Sequence, residues 1–267
     1  MSRGRAHSRR QFKFWLAGLG LVVVLIAIVV ATATYYFRRE PELNKETLCP
    51  AGGPSGHIVL LVDKTDPLTF IQANAFHTFL ENLITHDVPV GNLLSVFALG
   101  DDYSATAKPL FELCNPGSEQ GQSEFTHTLS FLKKQFERQF RDPMLLLESE
   151  LRAKQSAKQS PIFEMLQLVS INGFQKQNVK GPRRLIIVSD MLHNTPQYSM
   201  YQGNMSFEEF RKTDYGRKLY TDLKGVQVEV IYLVNTPHLQ TRRHIKFWED
   251  FFEASGAQLK FVRPLEG

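Results

Sequence analysis

The chain has 267 residues, 43% hydrophobic and 22% charged, a balance that excludes wholesale disorder and leaves room for one sizeable domain. Its formal net charge is +4. Arg3, Arg5, Arg9, Arg10 and Lys13 concentrate the surplus at the N-terminus, so the rest is near neutral and offers no broad cationic face for nucleic acid.

Residues 1–13 form this basic N-terminus. Residues 14–37 carry no charge, and Leu21 to Val30 are aliphatic throughout. A helix of that length covers about 36 Å, enough to cross hydrocarbon. Trp15 and Tyr35–Tyr36 suit its two interfacial belts. The spacing therefore predicts a single transmembrane helix over 14–37. The larger cluster of cations before it places the N-terminus in the cytoplasm and the remainder outside, in the periplasm if the cell is Gram-negative. A cleaved export signal is the rival reading. Ser8 to Lys13 resembles a twin-arginine signal, and Ala31-Thr32-Ala33 could be cut. The apolar stretch is long for a signal core and Lys13 stands where leucine is usual, which favours an uncleaved anchor.

Residues 38–56 read as a linker ending in Pro and Gly, and 57–267 as the soluble domain. His57 to Val62 is an unbroken apolar strand ended by Asp63, and Leu68 to Thr85 has helical spacing. Leu93 to Leu99 is a second strand, with Lys108 to Leu113 returning antiparallel beside it. Gly117 to Ser123 reads as a loop, followed by a long amphipathic helix from Glu124 to about Lys158 that Pro143 is expected to break. Ser160-Pro161 opens a helix with Ile162 to Val169 as its body. Then come a strand over Arg184 to Ser189, a helix over Phe207 to Leu223 and a strand over Val226 to Val234. A helix over His238 to Ala254 and a strand over Ala257 to Val262 close the chain. Strands that are nearly all apolar and alternate with helices predict an α/β fold: a doubly wound, mostly parallel sheet with one antiparallel strand and helices on both faces.

In such sheets ligands gather beyond the carboxyl ends of the strands, where the winding reverses. Two strands end in aspartate, Asp63 and Asp190. Thr65 follows the first by two residues, and Ser160 starts a helix that can reach the same crevice. Two carboxylates and two hydroxyls make an all-oxygen set suited to Mg²⁺, or Mn²⁺ in its place. The bland reading of each is a loop or helix cap.

The element order, the early hairpin and these loops resemble the von Willebrand factor A domain, from His57 to the C-terminus. That family's metal-ion-dependent adhesion site has Asp-x-Ser-x-Ser after the first strand, a threonine in a second loop and an aspartate after the fourth strand. Asp63-Lys64-Thr65-Asp66-Pro67 matches at Asp63 and, with threonine for serine, at Thr65. Pro67 removes the second hydroxyl, for which Asp66 could supply an oxygen. Ser160 stands in for the threonine and Asp190 for the last aspartate, with Met191 where the family has glycine. The resemblance implies a binding or scaffold module in which a partner's carboxylate completes the metal shell, with Lys64, Asp66 and His193 at the rim.

No nucleophile elbow, phosphate loop or dinucleotide fingerprint occurs, and the expectation is no enzyme. The alternatives are a metal-dependent hydrolase on Asp63 and Asp190 with His193 as base, and a metal-free assembly scaffold. His193 otherwise reads as a solvent-facing loop histidine. Asn204-Met205-Ser206 fits a glycosylation sequon. In the expected fold Cys49 precedes the first strand and Cys114 ends the antiparallel one. Both then lie at one end of the sheet, which predicts a disulfide in an oxidising compartment.

Overall fold

The computed structural model describes residues 19–34, 43–103, 107–117, 133–153, 157–203 and 205–265. The chain divides into two units, Met1–Glu42 and Leu43–Gly267. In the first, residues 19–34 form helix α1, whose aliphatic side chains from Leu21 to Val30 are exposed. At 1.5 Å per residue the described part covers about 24 Å. Among the described residues no helix is long and apolar enough to cross a membrane. The ends of the expected span, 14–18 and 35–37, lie outside the described residues, as do 1–13 and 38–42.

The second unit is built on six strands: β1 His57–Asp63, β2 Leu93–Leu99, β3 Phe111–Cys114, β4 Arg183–Ser189, β5 Val226–Leu233 and β6 Gln258–Leu265. They form one sheet in the order β3-β2-β1-β4-β5-β6. β3 runs antiparallel to β2, and the other neighbours are parallel. This is the expected doubly wound α/β sheet, with its antiparallel strand at one edge. Every side chain of β1 and β2 is buried. Val59 and Leu61 join Phe97, Ile187 and Val230 in one core, while Ile58, Leu60 and Val62 join Val96, Ile186 and Ile231 in the other. With apolar layers on both faces, no polar alternation survives in these strands.

The helices are α2 Phe70–Asn82, α3 Asp142–Leu151, α4 Ile162–Leu168, α5 Phe207–Phe210, α6 Asp214–Lys218 and α7 Arg242–Ala254. α2 and α3 cover one face through Phe76, Leu80 and Met144. α4, α5 and α7 cover the other through Phe163, Phe210, Phe247 and Trp248. α2 begins at a capping box in which Thr69 and Gln72 satisfy each other's backbone N–H groups.

Three expectations about elements are corrected. Pro143 does not break its helix: a wide turn over Phe136–Arg141, in which the Asp142 N–H reaches the Glu137 carbonyl, precedes it. The missing N–H of Pro143 then falls where the α ladder restarts. The helix expected over 207–223 is two short pieces. Thr213 is extended and its hydroxyl accepts from the Gly216 N–H, which restarts the chain as α6. A side chain at Gly216 would place its Cβ 2.1 Å from the Phe210 carbonyl oxygen, so the close approach of α6 to the end of α5 requires glycine. The return strand β3 begins at Phe111 rather than Lys108. The loop to Ser123 and the helix start at Glu124 lie outside the described residues beyond Gly117, as does the sequon residue Asn204.

The expected disulfide between Cys49 and Cys114 is present, with Cα atoms 4.8 Å apart. It packs with Leu93 in a small cluster of its own.

Candidate functional site

The winding reverses between β1 and β4, which are adjacent and parallel. Their carboxyl ends therefore bring Asp63 and Ser189–Asp190 together, as the apolar runs ending in aspartate predicted. Asp63 is buried and fully hydrogen-bonded. One carboxylate oxygen accepts from the Thr65 N–H at 2.9 Å and the Thr65 hydroxyl at 2.6 Å; the other accepts from the Ser189 hydroxyl at 2.6 Å. Burial nevertheless holds its carboxyl above the usual range, against the pull of these three donors.

Asp190 is 3% exposed. Its Oδ1 accepts from the Leu192 N–H at 2.8 Å, while its Oδ2 is buried with no donor. The Asp66 carboxyl is close enough to act as its hydrogen-bond partner, and a protonated Asp190 has the O–H to donate to it. Burial pushes the Asp190 carboxyl well up, and the charges of Asp63 and Asp66 push it further. Among the described residues no basic side chain is one of the groups that principally shift Asp63 or Asp190. Burial, and then the charges of the same three carboxylates, raise the Tyr201 hydroxyl pKa.

Ser160 reaches the loop after β4 through a two-bond bridge to Asn194. Its hydroxyl is buried without a partner and makes no bond to either aspartate. Lys64 and Asp66 are half-buried beside Asp63, with the Lys64 N–H bonded to the Leu99 carbonyl.

His193 is not where the sequence led us to expect it. It is 0% exposed and packs on Phe163 at 4.5 Å between ring centroids. Tyr215 donates its hydroxyl hydrogen to Glu164, which leaves the Tyr215 oxygen to accept from His193 Nε2 at 3.1 Å. Burial lowers the imidazole pKa to about 3, so it is neutral. Neither a partner-facing rim residue nor a solvent-facing loop histidine, His193 belongs to the aromatic core. Buried and held neutral, with its Nε2 on Tyr215, His193 is poorly suited to the general-base role that the hydrolase alternative gave it.

These residues do not fit a resident Mg²⁺, which takes about six oxygens in near-octahedral array. Pro67 offers no hydroxyl, and the Ser160 hydroxyl makes no bond to either aspartate, so Thr65 alone of the expected hydroxyls meets Asp63. Among the described residues no group of three or more His, Cys, Asp or Glu side chains is placed to hold a metal ion. The expected set of Asp63, Thr65, Ser160 and Asp190 is thus brought to one region without being arranged as a shell.

Several residues that shape the crevice escaped the sequence reading. Ser189 donates to Asp63 and accepts from the Met191 N–H at 2.8 Å, linking the two loops. Met191 has φ of 59°, the left-handed conformation that glycine adopts without cost, and keeps it with its side chain buried. Its carbonyl accepts from Trp248 Nε1 at 3.0 Å and His244 Nε2 at 2.9 Å. His244 takes the Tyr232 hydroxyl hydrogen on its other nitrogen, and burial lowers its pKa to about 4. The Gln240 amide donates to the Asp190 and Leu233 carbonyls and its oxygen accepts from the Thr236 N–H. The signal available in sequence was Met191 in a glycine position, which calls for backbone anchors.

No protein-family model and no curated protein matches the chain. Among solved structures, proximal thread matrix protein 1 of the mussel byssus is similar over 76% of this chain and 48% of its own, at 14% identity and a TM-score of 0.32. The manganese-loaded TRAP protein of Plasmodium vivax is similar over 75% of this chain and 63% of its own, at 13% identity and a TM-score of 0.37. The VWA domain of SpRpn10 is similar over 80% of this chain and 89% of its own, at 10% identity and a TM-score of 0.38. This chain spans about half the length of the mussel protein. The chemistry of the crevice follows from the chain's own side chains.

Proposed function

We propose that this chain is a membrane-anchored, extracytoplasmic von Willebrand factor A-like module that binds a protein partner at the carboxyl ends of β1 and β4. The observation that carries this reading is the convergence of Asp63, Asp66 and Asp190 at the point of reversal, where burial and the charges of its two neighbours raise the Asp190 carboxyl. Carboxylates gathered at one loop closure repel one another when ionised, so a fold that only needed to close its loops gains nothing by keeping them together. Binding needs no general base, and the core position of His193 supports a non-catalytic role. The scheme does not call on Mg²⁺: Pro67 offers no hydroxyl, and among the described residues no group of three or more His, Cys, Asp or Glu side chains is placed to hold a metal ion.

The test is site-specific photocrosslinking in cells from a probe residue replacing Lys64. A discrete adduct is expected in the wild type. It should disappear when Asp63 and Asp190 are both changed to alanine, while the thermal melt of the purified chain stays cooperative. An adduct that persists in the folded double variant rejects the crevice as the partner surface.

A further inference from the structure

We propose that the hollow between α5, α6 and the end of α7 binds a small arylalkyl carboxylate, with its ring against the phenylalanines and its carboxylate at Arg211. This goes beyond the partner crevice, with which the hollow shares no residue.

The hollow has a volume of about 350 Å³, within the range of small-molecule sites, and is half open to solvent. Phe207 and Phe210 of α5, Leu219 after α6 and Phe251 of α7 supply its apolar lining. These rings are fixed by their neighbours. Phe210 stacks on Phe163 with centroids 4.6 Å apart, and Phe207 meets Phe251 edge to face at 6.2 Å. The segment after α6 is pinned as well. The Gln167 amide donates to the Lys218 and Tyr220 carbonyls at 2.9 Å each, and the Leu223 N–H donates to the Ser255 carbonyl at 2.9 Å. Walls held in this way keep the hollow open, and an apolar group that displaces weakly held water from it gains affinity.

The polar part of the lining sets the ligand's chemistry. The Thr221 hydroxyl donates to the Leu219 carbonyl at 3.0 Å and the Ser255 hydroxyl to the Phe251 carbonyl at 2.8 Å. Both donors are spent inside the chain, so a body without hydrogen-bonding groups loses nothing there and a peptide main chain gains nothing from them. Among the described residues that line the hollow, the charged ones are Arg211 and Arg217, and none is a carboxylate. The Arg217 guanidinium already donates to Asp214 and to the Lys212 carbonyl. Arg211, exposed at the end of α5, is left to meet an anion, and its planar fork of N–H donors matches a carboxylate. Tyr220 also lines the hollow and is 67% exposed, which adds a ring beside the solvent.

The experiment titrates the full chain in lipid nanodiscs, with empty nanodiscs as the blank, against 4-phenylbutanoate, 4-phenylbutan-1-ol and acetyl-Gly-Phe. The carboxylate should bind saturably with a Kd of about 1 mM or tighter, the strength that a ligand of this size can reach. It should bind about three- to fivefold tighter than the alcohol, the scale of an ion pair at a partly exposed arginine. Arg211→Gln should erase that difference and leave the affinity for the alcohol unchanged. Ala254→Trp, which fills the hollow from an exposed position on α7, should abolish binding of both while the thermal melt is unchanged. An Arg211→Gln variant that weakens acid and alcohol alike, or that keeps the preference for the acid, would overturn the inference. So would the absence of saturable binding, binding retained in a folded Ala254→Trp variant, or tighter binding of acetyl-Gly-Phe than of 4-phenylbutanoate.

Discussion

Met191 shows how the chain holds a conformation that its own side chain disfavours. A non-glycine residue in the left-handed region costs about 1–3 kcal/mol and persists only where its surroundings impose it. Here the Ser189 hydroxyl fixes the Met191 N–H, and Trp248 and His244 fix its carbonyl. The side chain meanwhile fills the core beside Leu192 and Trp248. Two effects compete on replacing it with glycine: backbone relief, and the loss of a buried methionine worth about 2–5 kcal/mol. The larger wins, so Met191→Gly is expected to destabilise by about 1–3 kcal/mol in urea melts despite matching the adhesion-site sequence. A stabilised Met191→Gly would show that backbone strain outweighs packing at this turn. Asp63 and Asp190 were legible as a pair because each ends an apolar run. Ser189 was not, because its role depends on which strand lies beside β1.

Among the elements, β3 is the most dependent on outside support. It is the four-residue antiparallel edge strand, paired only with β2 on one side. The Cys49–Cys114 bridge ties its end to the segment at 43–50, where the Cys114 N–H also donates to the Thr47 carbonyl at 2.9 Å. The bridge joins residues 65 apart, and a disulfide closing a loop of this order stabilises by about 2–4 kcal/mol. Changing both cysteines to serine is therefore expected to lower stability by about that amount. Hydrogen exchange should quicken first at Phe111–Cys114 and 43–50, with β4 and β5 little changed. Uniform loss of protection across the sheet would contradict this division. The helices divide by the same logic of context. Strong periodicity and a capping box mark α2 in the sequence. The break between α5 and α6 depends on how closely Gly216 approaches the Phe210 carbonyl, a contact that periodicity does not register.

At the scale of the whole molecule, the proposal of an extracytoplasmic domain rests on the cations that precede the apolar run, and on a disulfide of the kind that persists in oxidising compartments. C-terminal fusions are expected to be active with a reporter that works only outside the cytoplasm and silent with one that works only inside. The reverse pattern would end the proposal. The sequence by itself determined the sheet's composition, its winding and the two aspartates at its point of reversal. Those features follow from local periodicity and from the rule that apolar strands need cover on both faces. Only the tertiary structure decided what the oxygens do. The hydroxyls of Thr65 and Ser189 turn onto Asp63, Asp190 is buried beside Asp66, and His193 sinks into the aromatic core against Phe163 of α4 and Tyr215 of α6. The reason is physical. Strand and helix periods are set by neighbours in sequence, whereas hydrogen-bond partners and burial are set by neighbours in space. Those neighbours come from loops whose packing no local pattern encodes.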